Sequence, residues 1–290
     1  MLQASSRCVV CGRPGQLIFY KDETERYCQT CFDKLKSCSS CGRRIREGHQ
    51  NPGDAALYCW KCWEQMRICA ACGRHIWKWT SFGQDDEEVF CSTCVADLPR
   101  CAACGSPAAR KAVLLPDDRH ICHRCHQTAT YRADKAQDDY DEVYKILIWR
   151  LGLNLKTIPK LSIVRQDELS RIAQDVPGAT KLLGLYSPQS QGAIIYIIIG
   201  LPANLFREVA AHELGHAWLS ENAPHIADKE LTEGFSEWLA YKVGQCLGDS
   251  RNLQLMKEKN GDYGRGLRRM LDLEKQGGVA AVMRMFGATV

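Results

Sequence analysis

Two histidines four residues apart, with a glutamate beside the first, supply the first chemistry in this chain: His212-Glu213-Leu214-Gly215-His216. On an α-helix, residues four apart share one face about a turn apart. Both imidazoles can therefore hold one metal ion while Glu213 leans over a remaining coordination position. This is the His-Glu-x-x-His arrangement of a zinc hydrolase, with the glutamate as general base. A third ligand, Glu233, follows 17 residues after His216. Offered from a second, antiparallel helix, its carboxylate completes a set of His212, His216 and Glu233 and leaves the fourth position for water. Glu237 and Tyr241 lie on the same face as Glu233 at i+4 and i+8. Glu237 is placed to orient a histidine and Tyr241 to donate a hydrogen bond to a developing oxyanion; a solvated Glu237 and a packed Tyr241 remain equal alternatives.

Helices must present these groups, and the pattern supplies them. Leu205, Val209, His212, His216 and Leu219 form one stripe that Pro224 stops, and Leu231, Phe235, Leu239 and Val243 form the core side of the next helix. Upstream, the β-branched run Ala193 to Ile199, closed by Gly200-Leu201-Pro202, reads as a strand. It leads into the metal helix and offers an edge for an extended peptide to pair with. Residues 127–151 read as a long helix with Tyr140, Val143, Tyr144, Leu147 and Leu151 inward and Gly152 at its end. A strand follows at 159–166, a short helix at 166–174 and a strand at 181–186. Beyond Gly248 the chain is helical, with Met270, Leu271, Val282, Met283 and Phe286 as core.

With "YIIIGLP", "AAHELGHAW" and "LTEGFSEWLAY" between Ile195 and Tyr241, the C-terminal half resembles the peptidase domain of the DA-one family. These are LIM-domain-bearing zinc peptidases known chiefly from plants as ubiquitin-activated regulators of organ size. The resemblance implies a gluzincin-type endopeptidase in which His212, His216 and Glu233 hold zinc and Glu213 is catalytic. It also implies ubiquitin or another regulatory protein as a partner beside the protein substrate. Two features depart from the plant proteins: no Glu-rich ubiquitin-interacting motif precedes the cysteine-rich region, and Tyr241 stands in place of a histidine.

Sixteen of the 17 cysteines form eight Cys-x-x-Cys pairs. Every odd-numbered pair is followed by glycine (Gly12, Gly42, Gly73, Gly105), as a tight knuckle requires. Three of the even-numbered pairs precede an amphipathic stretch, beginning at Phe32, Trp63 and Val95, that starts a short helix. The unit of knuckle, hairpin, second pair and helix recurs four times, and the spacing within each unit matches a two-pair zinc site. Four structural zinc sites follow: Cys8/Cys11/Cys28/Cys31, Cys38/Cys41/Cys59/Cys62, Cys69/Cys72/Cys91/Cys94 and Cys101/Cys104/Cys122/Cys125. With the histidine-glutamate site they call for five Zn2+ ions. The array resembles two tandem LIM domains, although six residues, in place of two, separate successive fingers and cysteine replaces the usual histidine ligand. His120, His123 and His126 are spare donors, and cross-braced pairing of alternate pairs stays open. The leftover Cys246 is expected in a helix core.

The formal charge of +4 does not favour nucleic acid. Residues 1–125 carry 18 Lys and Arg against 14 Asp and Glu, and sixteen thiolates around four Zn2+ bring that region to about −4. The acidic run Asp85-Asp86-Glu87-Glu88 lies inside the array. Trp60, Trp63, Trp77 and Trp79 are either a protein-binding face or the small cores of the fingers. No apolar run is long enough for a membrane span, and residues 1–6 show no secretory signal, so the cysteines read as metal ligands in a cytoplasmic protein and not as disulfides. The expected fold is α+β: residues 1–126 as four treble-clef, LIM-like zinc fingers stacked into a semi-rigid arm, and residues 127–290 as a gluzincin-type domain with a small sheet and an active-site helix. The expected function is zinc-dependent cleavage of protein substrates. The alternatives are a binding scaffold with a vestigial peptidase domain, or a zinc-finger regulator that contacts nucleic acid.

Overall fold

The computed structural model describes residues 7–20, 24–82, 88–109, 111–175, 182–190 and 192–287, and in it each Cys-x-x-Cys-Gly run turns through a left-handed glycine. Gly12, Gly42, Gly73 and Gly105 have φ between 71° and 75°, and each donates its N–H to the carbonyl of the first knuckle cysteine at 2.9 Å. A side chain at such φ would be strained, so glycine fixes the knuckle. Each second pair starts a short helix: α1 (Gln29–Asp33), α2 (Trp60–Glu64), α3 (Ser92–Asp97) and α4 (His123–Thr128). These helices begin right after the first cysteine of the pair, earlier than the apolar pattern places them, so the second cysteine lies in the first turn. Isolated antiparallel bridges, Arg7 with Pro14 and Ile18 with Tyr27, close the first finger, and two-residue antiparallel ribbons complete the others: β1 (Lys36–Ser37) with β2 (Arg44–Ile45) in the second, β3 (Arg67–Ile68) with β4 (His75–Ile76) and β5 (Thr80–Ser81) with β6 (Val89–Phe90) in the third, and β7 (Val113–Leu114) with β8 (His120–Ile121) in the fourth.

The chain divides into two compact units, one within Met1–Ser81 plus Glu87–Asp97 and the other within Phe82–Asp86 plus Leu98–Val290. The first holds three fingers. Successive fingers there are bonded together: the Tyr20 hydroxyl accepts the Arg44 N–H at 3.0 Å, and the Asn51 side chain pairs both ways with the His75 backbone at 2.8 and 3.0 Å. Trp63 stacks on His75 at 3.8 Å and serves as finger core. Trp60, Trp77 and Trp79 are exposed. Most of the acidic run at 85–88 lies outside the described residues.

The second unit is mixed α/β and contains the fourth finger, whereas the sequence boundary was set after residue 126. Helix α4 gives way to β9 (Ala129–Thr130), which pairs with β13 (Leu201–Pro202), so the long helix α5 (Ala133–Leu151) starts at 133 and not at 127. A three-stranded sheet follows, with β12 (Gly192–Ile198) between β10 (Lys160–Val164), which is parallel to it, and β11 (Gly184–Gln189), which is antiparallel. The isoleucine-rich strand is therefore central and has no free edge for a peptide; the edge toward the histidine helix is β11. Helix α6 (Gln166–Ile172) follows β10, and Lys181, where the second strand was expected to begin, lies outside the described residues.

The described residues end in the helical segments α7 (Ala203–Asn222), α8 (Lys229–Leu247), α9 (Ser250–Glu258) and α10 (Gly261–Met285), the last broken by a kink of non-helical backbone at Gly277 and Gly278. Glycines bring three of them nearly backbone to backbone at the ligand positions. A Cβ on Gly215 would lie 2.8 Å from the Ser236 Cα, and one on Gly234 would lie 2.4 Å from the Gly266 Cα. Gly215 adjoins His216, so its contact with Ser236 sets how closely the two ligand-bearing helices α7 and α8 meet, and Gly234, beside Glu233, brings α10 against α8. Around them Phe206, Phe235, Trp238, Leu239, Met270, Val282, Met283 and Phe286 are buried in one core with Tyr140, Val143 and Leu147 of α5. Leu271 is only partly buried. Cys246 is exposed, because it sits in the last turn of α8 beyond the packed stretch. Among the described residues no helix is long and apolar enough to cross a membrane.

The fourth finger is built into this unit. Arg119 donates to the Ile199 carbonyl at 2.8 Å, and Asp117 accepts the Gln166 N–H at 2.9 Å, one of the N–H groups left open at the start of α6. Burial opposes the charge on Asp117, but the Arg119 guanidinium and the Gln166 N–H outweigh it and hold the carboxyl below its ordinary range. Leu115 is 5% exposed and fills the space in front of Gly200, where a Cβ would meet its Cδ1 at 2.7 Å.

Candidate metal centres

Four groups of cysteines converge as the spacing requires: Cys8/Cys11/Cys28/Cys31, Cys38/Cys41/Cys59/Cys62, Cys69/Cys72/Cys91/Cys94 and Cys101/Cys104/Cys122/Cys125. Pairing runs within each unit, which removes the cross-braced alternative. Sulfurs of the two pairs are 3.7 to 3.8 Å apart. A tetrahedral ion with Zn–S bonds of about 2.3 Å has edges of about 3.8 Å, whereas a disulfide needs about 2.05 Å. All are free thiols. The first cysteine of each knuckle is held below the ordinary thiol value: Cys8 at about 6 by the N–H groups of Cys11 and Cys28, and Cys101 at about 6 chiefly by the Cys104 thiol. In Cys38, at about 6, and Cys69, at about 7, burial pulls upward but the N–H groups of the knuckle and of the following pair outweigh it. These sites fit closed, four-thiolate structural zinc, and they leave His120, His123 and His126 outside the ligand sets. His126 instead meets the Tyr131 hydroxyl at 2.7 Å.

The fifth cluster is His212, His216 and Glu233. The two Nε2 atoms are 3.1 Å apart, and Glu233 Oε2 lies 3.2 Å from that of His212 and 3.5 Å from that of His216. Zinc bonds of about 2.0–2.1 Å at tetrahedral angles give edges of about 3.3 Å. Glu233 Oε2 is buried without a hydrogen-bond partner, although both Nε2 atoms lie within 3.5 Å of it. Two imidazole nitrogens and a buried carboxylate oxygen at these separations are the donor set of a three-ligand zinc site, so the residues fit a zinc ion.

Behind and around this triangle sit three further side chains, Glu237, Glu213 and Tyr263. Glu237 Oε1 is 3.5 Å from His212 Nδ1, the relation that fixes a ligand imidazole's tautomer. Burial of His212 favours its neutral form, but Glu233 and Glu237 outweigh that and raise its pKa to about 10. Glu213 is 8% exposed, and its Oε2 accepts the Tyr186 N–H of the edge strand at 2.7 Å. Tyr263, in the first turn of α10, stacks on the His212 ring with centroids 5.7 Å apart and planes at 25°. Burial and the carboxylates of Glu233, Glu213 and Glu237 push its phenol up to about 12, so it keeps its proton at neutral pH. Tyr263 escaped the sequence reading because no periodicity links it to either motif; its flanking glycines, Gly261 and Gly264, are the only local sign.

Tyr241 is not brought to the cluster. It is 5% exposed in the helical core, with the Lys257 ammonium 5.1 Å above its ring. Eight residues along a helix amount to about 12 Å, so Tyr241 shares the face of Glu233 but lies two turns away, with Glu237 between them.

No family model matches the chain, and no curated protein or solved structure matches it in comparison.

Proposed function

We propose that this chain is a zinc-dependent endopeptidase of gluzincin type, whose four-thiolate fingers serve protein recognition or regulation. The observation that carries the reading is the convergence of His212, His216 and Glu233 on one centre, with the Glu213 carboxylate beside it and the β11 edge alongside. When bound, zinc would supply Lewis acidity, polarising the scissile carbonyl and acidifying a water at the open position. Glu213, held toward the site by the Tyr186 N–H, takes the proton from the attacking water and delivers it to the leaving amine. The Tyr263 phenol, protonated and facing the same space, is the chain's donor to the developing oxyanion, the role that the sequence reading gave to Tyr241. Glu237 keeps His212 in the tautomer that presents Nε2.

The likeness of the "AAHELGHAW" and "LTEGFSEWLAY" stretches to the DA-one peptidases supports the same reading, and ubiquitin is the regulatory partner that likeness suggests. The thiolate clusters have no open position for water, so they are support or recognition elements and the chemistry belongs to the histidine cluster. The test is to incubate the purified chain and its Glu213→Gln variant with a cell proteome and read new N-termini by mass spectrometry. New termini that appear with the wild type and not with the variant support a peptidase. Identical termini from both remove the reading.

A further inference from the structure

We infer that Lys259 is a positioning residue for the histidine centre: its ammonium clamps the carboxylate that orients His212 and anchors the segment that carries Tyr263. This rests on the reading that His212, His216 and Glu233 hold zinc.

Lys259 lies between α9 and α10. Its Nζ is 3.2 Å from both oxygens of Glu237 and 3.1 Å from Glu208 Oε1. Glu208 is one helical turn before His212 on α7, and Glu237 is one turn after Glu233 on α8. One ammonium thus ties both ligand-bearing helices to the α9–α10 junction. Glu237 is 4% exposed, and without a cation it would sit against Glu208 as a like charge in a poorly solvated place. It would then have to protonate or swing away. Held by Lys259, its Oε1 stays at 3.5 Å from His212 Nδ1.

The backbone of Lys259 is fixed as well. Its carbonyl accepts the Arg268 guanidinium at 3.1 Å, and Gly264 packs so tightly that a Cβ there would fall 1.7 Å from that carbonyl oxygen. Tyr263 is four residues beyond Lys259, in the turn that this packing sets. The same residue therefore governs what lies behind His212, through Glu237, and what lies over its ring, through the start of α10.

A merely structural ion pair gives the control. Lys242 joins α8 to α10 through Glu274 at 2.7 Å, away from the ligands. The full-length chain is loaded with zinc, and a graded chelator is used to read how tightly each ion is held. The wild type should show one ion leaving apart from four held by thiolates; a wild type with only four ions removes the underlying reading before any variant is made. With five present, Lys259→Met should release the histidine-site ion about 10- to 100-fold more readily, the range expected for outer-shell partners, while the thiolate ions leave as before. Lys259→Arg, which keeps the charge, should retain most of the affinity, and Lys242→Met should behave as the wild type. Unchanged retention in Lys259→Met overturns the proposal. So does an equal loss in Lys242→Met, which would report helix packing alone. If Lys259→Met does not fold by circular dichroism, Glu208→Gln removes one side of the clamp and should give a smaller loss in the same direction; no loss there overturns it too.

Discussion

Glu213 accepts the Tyr186 amide N–H at 2.7 Å, so the edge strand β11 and the helix α7 are joined through the side chain proposed as base. Tyr186 pairs with Ile195 in the ladder, yet its N–H points away from β12 and toward α7. Gly184 makes this approach possible, since a Cβ there would be 2.5 Å from Val209 Cγ1 and 3.0 Å from the Glu213 carboxylate. Glu213→Gln retains an oxygen to accept that N–H but has no basic carboxylate. It should lower peptide hydrolysis at least ~10²-fold and leave the zinc count unchanged. A variant with full activity, or one that loses the fifth ion, would show that Glu213 is not the base.

Tyr263 and Tyr241 separate by the same kind of measurement. Tyr263→Phe keeps the ring on His212 and removes only the hydroxyl, and it should lower kcat about 10²-fold, as for loss of one oxyanion donor. Tyr241→Phe should leave kcat within about twofold, because its buried ring packs without a polar contact to the cluster. Equal rates for Tyr263→Phe and the wild type would return the oxyanion role to another group.

Much of this site can be read from the sequence, and what cannot be read has physical causes. The His212/His216/Glu233 cluster and the four thiolate sets come from spacing along a helix or a knuckle, which is local. Tyr263 and Lys259 reach the centre only because α10 folds back on α8 at Gly234 and Gly266, and no local period records that crossing. Tyr241 shows the opposite failure: a shared helical face is not a shared place once residues are two turns apart. The isoleucine-rich strand reads correctly as a strand, but its neighbours β10 and β11 are set by tertiary pairing, so its lack of a free edge is not legible. Cys246 follows the helical period yet lies past the end of the packed stretch.

Glu233→Ala should remove one ligand of three and lower metal occupancy at the histidine site, leaving four ions per chain by elemental analysis against five for the wild type. The four remaining should resist a mild chelator, because closed thiolate sites carry folding free energy. Five ions in the variant would move the third ligand elsewhere.

The raised His212 pKa of about 10 gives a sign for pH dependence. At neutral pH the metal-free centre holds a proton that zinc must displace, so zinc affinity should rise with pH toward that value and fall about tenfold per unit below it. Competition titrations at several pH values between roughly 6.5 and 8.5 test this. A flat affinity would mean that His212 is already neutral before the ion arrives.

The sequence places every chemical part of the proposed peptidase within residues 127–290, but the fold makes the fourth finger a structural member of the same unit. Truncation at 127 takes away Leu115 from its seat at Gly200, Arg119 from the Ile199 carbonyl and Asp117 from the first N–H of α6. Losing a buried leucine costs about 2–5 kcal/mol, and each charged hydrogen bond adds about 1.5–3 kcal/mol. The sum is comparable with the net stability of about 5–15 kcal/mol of an ordinary domain. The fragment 127–290 should therefore be unfolded or aggregated, while a fragment beginning at Leu98 should fold with two zinc ions and cleave an unstructured peptide. In the full-length chain, Leu115→Ala should lower the thermal midpoint of the second unit, and Cys101→Ser with Cys104→Ser should lower it further, whereas Cys8→Ser with Cys11→Ser should not. A well-folded, active 127–290 fragment would show that the fourth finger only rests on the remainder of the second unit.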